Sequence, residues 1–391
     1  MKKVRFGVIG LGNQGAGYLV KRIFNEGKVE NGVITALCDI NPTKIEAIKE
    51  ALDPNSDIKY FTDYKAMLDS GLCDAVIIAV PHYFHPEIVI EALNRGINAL
   101  CEKPAGVYTK QVKEMNEVAA KNNALFGMMF NQRTNCLYRK MKEIIAEGGI
   151  GELQRVNWII TDWYRTQYYY DSGSWRATWA GEGGGVLFNQ SPHQLDLVQW
   201  VVGKLPSKVH GFCKFGHWHD IEVEDEVTAY MEYDNGATGV FITTTGEYPG
   251  TNRFEVSGTK GKLLCENGKL IWTKIESDSR DVAKSEKHSF VKIPKETIEV
   301  ETDGLNRQHE GIVNNFANAI LGIEPLFVDG KDGINGVELM NAIELSGWNG
   351  GAEVTLPVDE NEYLRQLDEH RAVSRWKVSD DSKVTDTAGT F

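Results

Sequence analysis

The sequence predicts an α/β protein whose amino-terminal part is a doubly wound parallel sheet. Three observations carry that reading. The apolar run VRFGVI leads straight into Gly10-Leu11-Gly12-Asn13-Gln14-Gly15. A second, β-branched run, GVITALCDI, closes on an acid, Asp39, 24 positions after Gly15. Apolar strands and amphipathic helical stretches then alternate through about residue 128, as parallel strands joined by crossover helices require.

Each element has its own reason. In the first turn Gly10 permits the tight reversal, Gly12 lets backbone approach a pyrophosphate, and Gly15 lets the following helix, AGYLVKRIF, pack closely on its strand. Asn13 and Gln14 sit at the start of that helix, where free amides and a positive dipole suit a phosphate. Asp39 is placed to accept hydrogen bonds from an adenosine ribose and to repel a 2′-phosphate, so NAD is favoured over NADP, with Lys44 as the opposing feature. An ordinary strand-turn-helix is the alternative. CDAVIIAVP is a continuous apolar run of the kind that forms a buried parallel strand. HPEIVIEALNRG follows as a helix with Gly96 just past its end, and INALCEKP is a further strand closing in Glu102-Lys103-Pro104. Ligands of such sheets bind beyond the carboxyl ends of the strands. Asp39, the stretch from Pro81 through His82 to His85, and Glu102 with Lys103 all fall on that edge, which makes them candidate cofactor contacts.

A chain of 391 residues exceeds one ordinary core. We therefore expect two domains, 1–128 binding a dinucleotide and 129–391 binding substrate, with a polar, mobile tail from about residue 379. A composition 42% hydrophobic and 25% charged is that of a soluble protein, and no apolar run nears the roughly 20 residues of a membrane span. The basic start is followed by an apolar stretch broken by glycines, which does not make a signal peptide, so a cytoplasmic location without a membrane partner is expected. The six cysteines are scattered and read as reduced thiols. A net charge of −13 without a basic run argues against a nucleic-acid partner.

Four stretches together resemble the Gfo/Idh/MocA family of nicotinamide-dependent oxidoreductases: the glycine turn, AVPHYFHPEI, CEKP, and GEGGGVLFNQSPHQLDLVQWVVG with its His-x-x-Asp. They occur in the family's order and spacing, and the resemblance extends to about residue 350. It implies a Rossmann domain followed by an α/β domain built on a large, mostly antiparallel open sheet. It also implies a homodimer or homotetramer formed on the exposed sheet face. The residues agree with the second domain independently. GELQRVNWIITDWY, EVTAYMEYDNGATGVFITTTGEY and NRFEVSGTKGKLLCENGKLIWTK are alternating or β-branched, with turns at Asp234-Asn235-Gly236 and Glu266-Asn267-Gly268. Helical patterning returns in HEGIVNNFANAIL and GINGVELMNAIELSGWNG.

Oxidising an alcohol by hydride transfer needs a base for the hydroxyl proton and a group that stabilises the developing alkoxide. The resemblance puts Lys103 and His193 there, Lys103 polarising the oxygen and His193 accepting the proton, and implies that the bond before Pro104 is often cis. Asp196, one helical turn past His193, is expected to orient or charge-stabilise the imidazole, or else to be an acid of the helix start. Two departures stand out. Asn189 takes a place where many relatives have aspartate, and an amide hydrogen-bonds a sugar hydroxyl but takes no proton. His82 takes a place where asparagine is common near the nicotinamide ribose. Gly183, Gly184 and Gly185 suggest close backbone approach near the substrate or a bulge. DWYRTQYYYDSGSWRATW is unusually aromatic. Tyr164 and Trp175 are candidates to stack on a pyranose or an attached ring, and Arg165 and Arg176 to bind hydroxyls or an acid; a buried or subunit-facing aromatic cluster is the equal alternative. Arg133 in FNQRTN is a further candidate substrate contact, beside Asn189 and His193. His217 and His219 in GHWHD lack a third ligand, so no metal is expected.

These readings converge on an NAD-dependent dehydrogenase that oxidises a secondary hydroxyl of a small-molecule carbohydrate, glycoside or cyclitol. Two others stay open: a glycosidase or lyase using NAD transiently through oxidation and elimination, and a non-catalytic dinucleotide or sugar sensor.

Overall fold

The computed structural model describes residues 2–375, so the polar segment from about residue 379 lies outside the described residues. Strands β1 (Val4–Ile9), β2 (Gly32–Cys38), β3 (Lys59–Phe61), β4 (Ala75–Ile78), β5 (Asn98–Cys101) and β6 (Phe126–Met128) form one sheet in the order β3-β2-β1-β4-β5-β6. Every pairing in it is parallel. All four residues of β4 are buried, which is why CDAVIIAVP is apolar throughout rather than alternating. Asn41 and Asp63 start the helices Pro42–Ala51 and Tyr64–Asp69 by accepting hydrogen bonds from the amides of Thr43 and Lys65. The strand order reverses between β1 and β4, and the crevice at their carboxyl ends is where this architecture holds ligands.

The helix after β1 spans Asn13–Phe24 and so begins inside the glycine turn, earlier than the apolar pattern suggests. The cause is local: the Gly12 carbonyl already accepts from the Ala16 amide at 2.9 Å. A Cβ at Gly10 would lie 2.2 Å from the Ala79 carbonyl oxygen, and one at Gly15 only 1.8 Å from that of Gly10. Both positions therefore need glycine for packing of strand, turn and helix. Gly12 faces open space instead, with no atom within 4 Å of the point a Cβ would occupy.

A second sheet is built from β7 (Leu153–Ile160), β8 (Lys208–Phe215), β9 (Glu224–Glu232), β10 (Thr238–Thr244), β11 (Asn252–Gly258), β12 (Gly261–Glu266), β13 (Lys269–Ile275), β14 (Lys295–Glu299) and β15 (Val354–Thr355). Its order is β14-β13-β12-β11-β7-β10-β9-β8-β15, antiparallel except where β7 meets β10. In β7 the residues Leu153, Val156, Trp158 and Ile160 are buried, and Trp158 stacks on Phe254 at 4.1 Å. The β12–β13 hairpin turns on Asn267 and Gly268, whose φ of 52° and 72° are the two left-handed values a two-residue turn demands. Helices Cys136–Ala146, Pro192–Val202 and Gly333–Trp348 pack together beside this sheet. The chain then returns to its beginning: Gly127 bridges to Asp329 and Phe316 packs over Gly127, so Gln308–Ile320 and Gly333–Trp348 also brace the first sheet. All six cysteines are free thiols, and no helix among the described residues is long and apolar enough to cross a membrane.

Candidate active site

The site starts at the carboxyl edge of the first sheet. Asp39 follows β2 and is 7% exposed; its carboxylate accepts from the Leu11 amide at 2.7 Å and the Asn41 amide at 2.9 Å, with Lys44 Nζ 3.6 Å away. The acid thus holds the glycine turn directly, and the open side of Gly12 leaves room for phosphates at a helix start. These residues fit a dinucleotide: the turn and helix start would take its pyrophosphate and Asp39 its ribose. Asp39→Asn keeps an acceptor for Leu11 and removes the charge. We expect its kcat/KM ratio for NAD over NADP to fall by about tenfold or more, as loss of one like-charge repulsion implies, measured by steady-state assay with each cofactor.

Gln14 turns inward. Its Nε2 donates to Glu102 Oε1 at 2.8 Å and lies 2.8 Å from His309 Nε2, so its side-chain nitrogen serves the protein rather than a phosphate. Burial pushes the Glu102 carboxyl up to about 7 against the pull of Lys103, and burial brings His309 down to about 3. Pro81 precedes a short turn over His82–Phe84. His85 is a correction to the expected cofactor contact: its ring nitrogens lie 2.7 Å from the Pro104 carbonyl oxygen and 2.8 Å from that of Val80, so it braces two strand ends. His82 reaches across to the second domain, with Nδ1 3.1 Å from the Glu182 carbonyl oxygen and its ring edge against Trp175.

Lys103 follows β5, is half-buried, and precedes a cis bond to Pro104. Its Nζ donates to the Asn189 carbonyl oxygen at 2.7 Å. Burial lowers its pKa, opposed by the charges of Glu102 and Glu182. His193 lies in the first turn of Pro192–Val202, 6% exposed, and its Nδ1 has no hydrogen-bond partner among the described residues. Burial and the Lys103 charge pull its pKa well below the ordinary histidine value, and a helix start disfavours an imidazolium further. The ring is therefore neutral.

Asp196 does not orient that ring. It is fully buried and accepts from Arg133 Nε at 2.8 Å, Arg133 Nη2 at 2.6 Å and Gln199 Nε2 at 3.1 Å. Arg133 Nη1 also reaches Asp332 at 2.8 Å, and the side chain is 1% exposed between Phe130 and Trp200. The expected substrate contact by Arg133 is thus corrected as well: its guanidinium is spent on two carboxylates, because a charge taken that far from water must be paired.

The aromatic segment divides. Tyr170 and Trp179 are buried, Tyr170 donating to Thr245 Oγ1 at 2.7 Å and Trp179 packing on Trp348. Tyr164 is 47% exposed and meets Tyr248, while Arg165 bonds the Tyr164 carbonyl and lies over the Trp163 and Tyr169 rings. Nearest the lysine, Tyr169 Oη donates to Asn189 Oδ1 at 3.2 Å and accepts from Arg176 Nη1 at 2.8 Å. The Arg176 guanidinium sits over Tyr169 and Trp175. Gly183, Gly184 and Gly185 approach protein rather than an open cleft: a Cβ on Gly185 would lie 2.0 Å from the Glu224 carbonyl oxygen. His219 is held by Asp225, its Nδ1 3.1 Å from Oδ2.

Three further residues belong to this cluster. Glu182 contacts Asn189, Tyr169 connects Asn189 to Arg176, and His309 adjoins Gln14. Glu182 carried a readable signal, an acid set among Gly181, Gly183, Gly184 and Gly185 in an otherwise uncharged run. His309 had none, since only the returning helix brings it to Glu102.

Comparison with known proteins agrees with the fold and its nucleotide-binding sheet. Residues 4–130 match the family model of an oxidoreductase family with an NAD-binding Rossmann fold, and residues 138–264 match a GFO/IDH/MocA C-terminal domain. The chain is 31% identical over 281 residues to a 2,7-anhydro-N-acetylneuraminate hydratase of Mediterraneibacter gnavus, covering 68% of this chain and 69% of that one. It is 24% identical over 270 residues to a myo-inositol 2-dehydrogenase of Thermotoga maritima, covering 68% and 75%. The WlbA dehydrogenase of Bordetella pertussis, solved with NADH and UDP-GlcNAcA, superposes with a TM-score of 0.74 at 25% identity, covering 92% of this chain and all of that one. With both domains matched in order, the chain belongs to the Gfo/Idh/MocA family of NAD-dependent oxidoreductases acting on CH–OH groups.

Proposed function

We propose that this protein oxidises a secondary hydroxyl of a sugar, glycoside or cyclitol, with Lys103 polarising the substrate oxygen and His193 taking its proton. The observation that carries the reading is the pairing of a half-buried ammonium with a buried, neutral imidazole whose Nδ1 is unclaimed. Bound NAD supplies the hydride acceptor. Lys103 keeps one proton on the Asn189 carbonyl and has two others to offer an oxygen whose negative charge grows in the transition state. Arg165 and Arg176 are the candidate contacts for the remaining hydroxyls, and Tyr164 and Trp175 the stacking surfaces, while the Asn189 amide is engaged by Glu182 and Tyr169. A homodimer or homotetramer on the exposed face of the nine-stranded sheet accompanies this reading.

The test is nicotinamide reduction by the purified chain with cyclitols, aldoses and aryl or alkyl glucosides. Because His193 is held below its usual pKa, the base stays neutral down into acid, and the acidic limb of kcat/KM falls below pH ~6.5. His193→Asn lowers kcat by about 100-fold or more and removes that limb. Absence of reduction across the panel despite NAD binding counts against the dehydrogenase. The relative named a hydratase, at 31% identity, favours one second reading in which oxidation is transient and the cofactor returns to its starting state. That reading predicts altered sugar product without net NADH.

A further inference from the structure

We infer that Glu182 is a positioning residue of this site, fixing the Asn189 amide and through it the direction in which Tyr169 presents its proton, while its charge supports the neighbouring Lys103 ammonium. The inference rests on the dehydrogenase reading above for its kinetic test, and on geometry for its content. Glu182 is 2% exposed, and burial raises its carboxyl pKa, opposed by the charge of Arg176, by the hydrogen bonds from Ala177 and Asn189, and by the charge of Lys103, all of which favour the ionised form. Burying a carboxylate costs several kcal/mol, so its retention beside the lysine calls for a use. One oxygen accepts from the Ala177 amide at 2.5 Å and the other from Asn189 Nδ2.

An ionised carboxylate accepts only. It therefore decides which end of the Asn189 amide points where: nitrogen toward Glu182, oxygen toward Tyr169. Tyr169 must then donate to Asn189, which turns its lone pairs to Arg176 Nη1 and to Gln190 Nε2 at 3.2 Å. The same asparagine holds Lys103 Nζ by its main-chain oxygen. One buried charge thus sets the polarity of the hydrogen bonds that run from the Asn189 amide through Tyr169 to Arg176. It also sits where a negative charge supports the ammonium, alongside Glu102 and against Arg165 and Arg176. The remaining groups coupled to Lys103 are His82, His85, His193 and His309, all disfavoured as cations by it.

Glu182→Gln separates this role from a merely structural one. Glutamine still offers an oxygen to the Ala177 amide but turns its nitrogen to Asn189, which must flip and then meets Tyr169 as a donor. We expect normal folding and NAD binding, a kcat reduced by about 10- to 100-fold, and an alkaline limb moved down by about one pH unit as Lys103 loses a supporting charge. In the double variant E182Q/N189D the acceptor and its charge are returned at the neighbouring position, and kcat recovers to within about threefold of the starting enzyme. Unchanged kcat and pH profile in E182Q overturn the proposal, as does a double variant no faster than the single one. An E182Q chain that fails to fold, with a double variant that fails too, assigns the acid to loop stability and overturns it equally. If the unaltered enzyme binds NAD but none of the cyclitols, aldoses or glucosides leads it to reduce the cofactor, the dehydrogenase reading fails by itself. The role of Glu182 is then read from the Nζ resonance of Lys103 in ¹⁵N-lysine spectra, assigned by its loss in Lys103→Met: titration at lower pH in E182Q supports the role and an unchanged titration ends it.

Discussion

Lys103→Met lowers kcat for nicotinamide reduction by about 1,000-fold, the scale on which a single preorganised donor to a developing oxyanion counts. The side chain meets the requirement for that role. It is half-buried, anchored by one proton to the Asn189 carbonyl at 2.7 Å, and placed after β5 at the ligand-binding edge. Water is a poor substitute there, because a freely turning dipole must reorganise as charge develops and an anchored ammonium need not. NAD affinity, followed by fluorescence titration, stays within about threefold, since the groups we propose to grip a dinucleotide, the glycine turn and Asp39, follow other strands. Lys103→Arg recovers little of the loss, because a planar guanidinium replaces a point charge with different donor directions. The sign of the pH effect is fixed as well. Burial lowers the lysine pKa, the protonated form is the active one, and activity is lost as pH rises through that lowered value. A Lys103→Met enzyme with undiminished kcat removes the lysine from the chemistry.

The NAD-binding fold was legible in the chain because its determinants are local. A strand, a three-glycine turn and an acid closing the next strand are close in sequence, and the parallel sheet brings their ends to one edge. The apolar run of β4 and the Asn267-Gly268 hairpin were readable for the same reason, each having a backbone demand that few residue types meet. The substrate half was not. Helical spacing puts Asp196 one turn from His193 and suggests that they pair, yet Arg133, 63 residues earlier, claims the carboxylate. No short-range rule foresees that, because the choice is made by burial: an enclosed guanidinium outcompetes a neutral imidazole for an anion. Glu182 escaped for a related reason. Its partners, Ala177 and Asn189, flank the glycine run and meet only once that run is folded against Glu224.

Arg133→Met destabilises the protein by about 3–5 kcal/mol, the cost of leaving a buried carboxylate without its cation. Arg133 fastens three parts of the chain. It follows β6, it grips Asp196 on the helix that carries His193, and it reaches Asp332 before the helix Gly333–Trp348. With methionine in its place Asp196 keeps only Gln199 among these partners and must bind a proton or draw in water. Asp196→Asn produces a loss of the same order, because the guanidinium is then enclosed with one charged partner instead of two. Combining Arg133→Met with Asp196→Leu costs less than the sum of the single changes, since replacing both charges by apolar groups of similar bulk removes the desolvation burden along with the attraction. Urea unfolding of these three variants and of Asp196→Leu alone gives these values directly. Activity supplies an independent check: the helix start that positions His193 is tethered by this pair, so Arg133→Met also lowers kcat at temperatures where the chain is still folded. A stability change under about 1 kcal/mol, within the range of an exposed ion pair, would place the guanidinium in contact with solvent and return Arg133 to the set of groups available to a substrate.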